Sequence, residues 1–326
     1  MSKLLAPVVL LPLFLLPAGC ATTETAAEKG VRDPAYEKER QAKWDRRRRK
    51  RLKREDIGKL LLDANALLND YFQARKAQGN TRVEAHIVSV RKALQEIVAM
   101  DFGRLVIAAE DPAYRQNRAV ALAALGFTER KEQRDRALLP LLNGLGARDQ
   151  SMVANACLGL GELKDGRTPP TMLADLLMDA KRDKTTRLNA CWALSELQDS
   201  YGPKERAELL SIWLQILRKP DDAKPVDPEI LTPVVRALGL YRNPDHARFM
   251  EPYTKHQTPT VRRNAAIALG RMGNQESHKV LLKMIVPAES NANVRLAARK
   301  ALQALAGNMD GGYDVEVWKS LFARQK

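Results

Sequence analysis

Residues 258–272 read TPTVRRNAAIALGRM, from Thr258 to Met272. Thr258 has the side chain of a helix N-cap, and a proline such as Pro259 suits the first helical turn, where the missing amide hydrogen costs nothing. Val261, Ala265, Ala268, Leu269 and Met272 follow at intervals of three and four, which is one face of an α-helix. Counted from Thr258, that face occupies offsets 3, 7, 10, 11 and 14.

The pattern recurs along the chain. Asp111, Asp149, Asp183, Asp227, Thr258 and Asn291 all have N-cap chemistry, at spacings of 38, 34, 44, 31 and 33 residues. Offset 11 is always leucine: Leu122, Leu160, Leu194, Leu238, Leu269 and Leu302. Offset 10 is always small: Ala121, Gly159, Ala193, Ala237, Ala268 and Ala301. A small residue beside a fixed leucine lets the next helix approach closely. Shorter apolar segments precede these helices, at 136–145, 172–178, 207–217, 246–253 and 278–285, and are expected to be the first helix of each pair. Stacked pairs bury a continuous core that no single pair could bury. The longest spacing holds an insertion, 219–226, expected to be a surface loop.

Asp111-Pro-Ala-Tyr-Arg115, Asp183-Lys-Thr-Thr-Arg187 and Val261–Gly270 resemble HEAT repeats, nearest the bacterial subtype named after phycobilisome-lyase HEAT-like repeats. The resemblance implies an all-α fold: a right-handed α-solenoid of about six repeats that binds other macromolecules. It spans about residues 95–306, and 110–306 is taken as the solenoid. Residues 307–326, with Gly311–Trp318, resemble the closing segment of such arrays. The spacing predicts an α-hairpin over 57–109 ahead of the repeats, with Ile57, Leu60, Leu61, Ala64, Leu67, Leu68 and Phe72 on one face.

The beginning of the chain reads as an address. Residues 1–19 are one lysine followed by an apolar run with two prolines, the composition of a secretory signal peptide. Leu16-Pro17-Ala18-Gly19-Cys20 resembles a bacterial lipobox, with Pro17 where leucine is usual. That resemblance implies diacylglycerol and an N-acyl chain at Cys20. Ala21 in place of aspartate implies an outer-membrane protein facing the periplasm. Residues 20–33 are expected to be a tether. Residues 34–56 are expected to form a basic helix, because Arg46, Arg47, Arg48, Arg49, Lys50, Arg51, Lys53 and Arg54 place eight cations in nine positions. The whole chain has a formal charge of +15. Genomic nucleic acid is not an expected partner of an exported protein, so the run is either a solvated face or a contact for an anionic envelope polymer or lipid surface.

Chemistry is sparse. Of the four histidines, His86, His246, His256 and His278, none precedes glutamate, so the paired His-Glu iron ligands of some HEAT-like enzymes are missing. Glu276-Ser277-His278 are adjacent on a helix and do not face one another. No metal, no cofactor beyond the lipid and no catalytic residue is expected. Cys157 and Cys191 share offset 8 and are expected to be buried and unbridged. Offset 6 supplies Asn117, Asn155, Asn189 and Asn264, read as amides satisfying the backbone of the adjacent repeat. Offsets 5 and 9 point away from the core. They give Val120, Leu158, Leu188, Trp192, Arg236, Arg263, Ile267 and Lys300 as an apolar stripe rimmed by cations, where a protein partner in the cell envelope would bind. The expected function is therefore an envelope scaffold or accessory subunit. The alternatives are a polymer binder acting through Arg46–Arg54 and a lyase-like enzyme or enzyme chaperone.

Overall fold

In the computed structural model the described residues are 57–76, 81–111, 117–218 and 227–324. Cys20, the tether, the basic helix with Arg46–Arg54, and the insertion at 219–226 lie outside them. The chain divides into two compact units, residues 1–163 and 164–326.

Unit 1 begins with α1 (Ile57–Lys76) and α2 (Thr81–Glu110). Leu60, Leu61, Ala64, Leu68 and Tyr71 of α1 are buried, following the apolar spacing of the sequence. Asp101 interrupts α2 with non-helical backbone (φ −116°, ψ 22°), and its carboxylate accepts from Arg104 one turn on. Three helices follow: α3 (Arg118–Leu125), α4 (Lys131–Leu145) and α5 (Gln150–Leu163). α3 packs on α5, α4 packs on α5, and α1 and α2 both pack on α3. α3 and most of α5 are buried on every side. A helix that is apolar all round belongs in a core, and these two are.

Unit 2 holds α6 (Pro170–Met178), α7 (Lys184–Leu197), α8 (Pro203–Leu217), α9 (Pro228–Gly239), α10 (Pro259–Met272), α11 (His278–Leu282), α12 (Ala292–Leu305) and α13 (Val315–Ala323). The second helices of the repeats run in sequence: α7 against α9, α9 against α10, α10 against α12. All six offset-11 leucines of the chain are buried, and so are the small residues beside them. The small residues permit the close approach expected of them. A methyl group added at Gly239 would lie 2.8 Å from the Cα of Ala268, and one at Gly270 would lie 2.8 Å from the Cα of Ala301. In unit 1 a methyl at Gly126 would lie 2.3 Å from the carbonyl oxygen of Gly159.

Several expectations need correction. The segment expected as a helix at 246–253 is two tight 3-10 stretches, Pro244–Phe249 and Glu251–Lys255. Pro252 removes an amide donor and its ring opposes continuation of an α-helix. Asp183, Asp227 and Asn291 accept first-turn amides, and Asp149 accepts from the amide of Ser151. Thr258, by contrast, makes no side-chain cap bond. The helix expected to begin after Asp111 is described only from Arg118. The amides of Asn155 and Asn264 donate to the carbonyls of Ser151 and Thr260 in their own helices, not to an adjacent repeat. Val120 and Leu158, expected on an open stripe, are 5% and 3% exposed.

Candidate functional site

Unit 1 closes over its second helices with charge as well as apolar surface. Glu162, at offset 13 of α5, has a fully buried side chain, and three groups from the N-terminal hairpin converge on it. Tyr71 Oη donates to Oε1 at 3.0 Å, Arg75 Nη1 to Oε1 at 2.9 Å, and Arg91 Nη1 to Oε2 at 2.6 Å. Both arginines also donate to the Tyr71 hydroxyl. Phe127 sets its ring edge-on to Tyr71, with centroids 5.0 Å apart and planes at 85°. Burial, and then the Glu162 charge, push the Tyr71 phenol above its ordinary range. Burial opposes the charge of Arg91, but Glu162 and Tyr71 outweigh it and hold the guanidinium above its usual value. A carboxylate with three charge-assisted donors is a satisfied structural anchor. The sequence signal for it is a lone glutamate in an otherwise apolar helix.

Unit 2 presents the other half of the expected stripe. Arg236, Arg263 and Lys300 are exposed, while Leu188, Trp192 and Ile267 are half-buried. Leu296, at offset 5 of α12, is 41% exposed. These residues lie on α7, α9, α10 and α12, helices that pack consecutively. Arg271, one turn beyond Ile267, is exposed as well. Its charge is disfavoured by partial burial and by the neighbouring positive charges of Arg236 and Arg242, so its pKa lies below the usual arginine value. The structure leaves six of the eight residues expected for a partner site, Leu188, Trp192, Arg236, Arg263, Ile267 and Lys300, half-buried or exposed on these helices. It removes Val120 and Leu158.

The repeat arginine has a role that reading the sequence did not assign. Arg187 donates to the carbonyl of Leu177, Arg262 to those of His256 and Gln257, and Arg295 to that of Glu289. Each closes the end of the preceding segment, where backbone carbonyls lack helical partners and cations are favoured. Arg262 is also held by both carboxylate oxygens of Glu289, at 2.6 and 2.8 Å.

The remaining features offer little chemistry. A cleft of about 780 Å³ in unit 1 has Glu110, Arg118, Arg148 and Asp149 on its rim, two charges of each sign, with Pro140 and Met152 in its wall. Cys157 and Cys191 are buried and not disulfide-bonded, and burial pushes the Cys191 thiol up to about 12. Among the described residues no group of His, Cys, Asp or Glu could hold a metal ion. Nor is any helix among them long and apolar enough to cross a membrane.

Residues 210–303 match the family model for HEAT repeats. A search of curated proteins gives no match. Among solved structures, the X-ray structure of YibA from E. coli aligns with a TM-score of 0.50 at 16% identity, covering 78% of this chain and 94% of that one. A designed armadillo repeat protein, solved with the peptide (KR)4, aligns with a TM-score of 0.47 at 19% identity, covering 62% and 98%. The CpcE–CpcF complex of phycocyanin lyase from Nostoc sp. aligns with a TM-score of 0.38 at 16% identity, covering 94% and 100%. At such identities the likeness is one of fold. The described residues form an all-α helical-repeat fold, and residues 210–303 carry the HEAT-repeat pattern.

Proposed function

We propose that this chain is a lipid-anchored cell-envelope scaffold that holds a protein partner on the second-helix face of unit 2 and performs no catalytic step itself. The observation that carries this reading is the composition of that face. Four consecutive helices leave Trp192, Ile267 and Leu296 in reach of solvent, among the cations Arg236, Arg263, Arg271 and Lys300. Tryptophan and arginine are the residue types that dominate binding energy at protein interfaces, and apolar surface edged by polar groups is typical of them. Helical-repeat proteins present such faces as extended binding surfaces.

The anchor rests on Cys20 and the lipobox-like residues before it. Several acyl chains on one cysteine hold a protein stably to a bilayer without further signals. The cations Arg46–Arg54 follow the anchor in the sequence, and such a run favours anionic headgroups.

In-cell crosslinking with mass spectrometry tests the partner, and labelling with an alkynyl fatty acid tests the anchor. Trp192→Ala is expected to keep a cooperative melting transition, lowered by a few degrees because the side chain is partly buried, and to abolish a specific crosslinked partner. Unfolding of Trp192→Ala, or undiminished crosslinking, rejects the face. Cys20→Ser is expected to lose the acyl label and leave the membrane fraction. Label retained in that variant rejects the anchor.

A further inference from the structure

Three arginines in unit 2 stand together with no carboxylate to meet them. Arg236 lies one turn before Gly239 in α9, and Arg242 lies one turn after it. Gly239 is where α9 comes closest to α10, against Ala268, and Arg271 lies one turn after Ala268. The approach of the two helices sets three exposed arginines near one another, and Arg271 feels the positive charges of Arg236 and Arg242. Some cations of unit 2 have carboxylates, Lys184 with Asp227 and Glu229, Arg262 with Glu289 and Arg299 with Asp310, while others such as Arg263 and Lys300 pair with none among the described residues. Among the described residues Arg236, Arg242 and Arg271 have none.

Arg242 occupies the left-handed region, with φ 51°. It sits at offset 15, just past the helix end, where the following repeat has Gly273 at φ 72°. Glycine adopts that conformation without penalty, whereas a residue with a Cβ does not. Lys164, at offset 15 of its own repeat, has the same φ of 51°, so the left-handed residue is a helix-end feature shared between repeats.

We infer that Arg236, Arg242 and Arg271 form the recognition site for an acidic, amphipathic segment of a protein partner. The inference rests on the partner-face reading above and specifies its chemistry. Guanidinium groups pair bidentately with carboxylates and with phosphates alike. The apolar residues decide between them. Ile267 lies one turn from both Arg263 and Arg271, Leu240 is half-buried beside the cluster, and Leu296 is exposed on the neighbouring α12. A peptide that alternates acidic and apolar side chains uses both kinds of surface, while a phosphate polymer or a lipid headgroup layer leaves the apolar residues uncovered.

Fluorescence anisotropy on the full chain tests this. The probe is a labelled peptide alternating Glu or Asp with Leu or Phe; competitors are its Gln-for-acid analogue, inorganic polyphosphate and phosphatidylglycerol vesicles. The acidic peptide is expected to bind, weakening severalfold as salt rises from about 50 to about 300 mM. The triple variant Arg236→Gln, Arg242→Gln, Arg271→Gln is expected to lose affinity about 30-fold or more. Arg242→Gly carries the sharper readout: peptide affinity should fall about fivefold while the melting temperature rises by about 2–4 °C, because glycine relieves the left-handed strain. An arginine with only a structural role would lower the melting temperature instead. Equal affinity in the triple variant overturns the site. Polyphosphate or vesicles that outcompete the peptide, in an arginine-dependent way, overturn the acidic segment in favour of phosphate. If Trp192→Ala loses its crosslinked partner while the triple variant keeps it, the arginine site fails and the partner face stands. If neither variant loses it, both fail.

Discussion

Val120 and Leu158 of unit 1 and Trp192, Arg236, Ile267 and Lys300 of unit 2 all occupy offset 9 of their repeats. The first two are buried; the others are half-buried or reach water. The repeat pattern alone therefore does not set exposure. In unit 1 most other positions of α3 and α5 are apolar too, and α1 packs on α3, with Tyr71 and Arg75 of α1 and Arg91 of α2 gripping Glu162 of α5. In unit 2 two of the four matching positions, Arg236 and Lys300, carry charges that oppose burial without a partner. Unit 1 thus buries its offset-9 positions, and unit 2 leaves its own half-buried or exposed.

The largest test of that contrast removes the donors that make the covered face tolerable. In Arg75→Ala, Arg91→Ala the Glu162 carboxylate stays inside with only Tyr71 to hold it. Breaking a buried pair on one side costs about 3–5 kcal/mol, because a charge is left without compensation. Denaturant unfolding of the full chain should show that loss, and hydrogen exchange should quicken in 118–163 and stay unchanged in 259–305. Glu162→Gln is expected to cost less, since the arginines are 21% and 33% exposed and can turn to water. Uniform loss of protection in both regions would mean that the hairpin does not belong to unit 1 alone.

A smaller effect separates two leucines that the sequence treats alike. Leu158 is 3% exposed and Leu296 is 41% exposed. Leu158→Ala should destabilise by about 2–4 kcal/mol, the lost transfer energy plus a cavity. Leu296→Ala should stay within about 0.5 kcal/mol. Thermal or denaturant unfolding of the two variants checks the difference. Equal costs would mean that Leu296 is covered in solution, by this chain or by a second copy.

How much of this was legible in the sequence follows from the same residues. The helix pairs, the buried leucines and the small contact positions are local and periodic, so spacing reveals them. The N-terminal hairpin was legible as a hairpin, because Leu60, Leu61, Ala64 and Leu68 share one face. What it covers was not, since Tyr71 and Glu162 are 91 residues apart in sequence and nothing local pairs them. One clue was present and unread: α5 runs from Met152 to Leu163 with a single charge, Glu162, and a helix apolar on every side is destined for a core. The Arg242 cluster was hidden for a different reason. It depends on a backbone angle and on the approach of Gly239 to Ala268, neither of which composition reports.

The smallest effect concerns acid. In unit 2, Glu289 is held by the guanidinium of Arg262 and by the amide of Asn291, and the Arg262 bond is the main reason its carboxyl titrates below the ordinary glutamate range. A carboxyl with a lowered folded pKa stabilises the fold above its unfolded value, and that contribution disappears as pH falls through the folded value. The window therefore opens near the ordinary glutamate pKa and extends below it. The contribution is about 1 kcal/mol, because water still reaches the pair and screens it. Acid titration of stability should show this loss in the native chain, while Glu289→Gln starts lower by that amount and titrates more flatly. The covered carboxylate of unit 1 gives the control: hydrogen exchange at 259–305 should respond to Glu289→Gln, and exchange at 118–163 should not. A flattened titration with unchanged exchange at 259–305 would place the acid-sensitive step elsewhere, and would remove the Arg262–Glu289 clasp from the forces that hold the open face in shape.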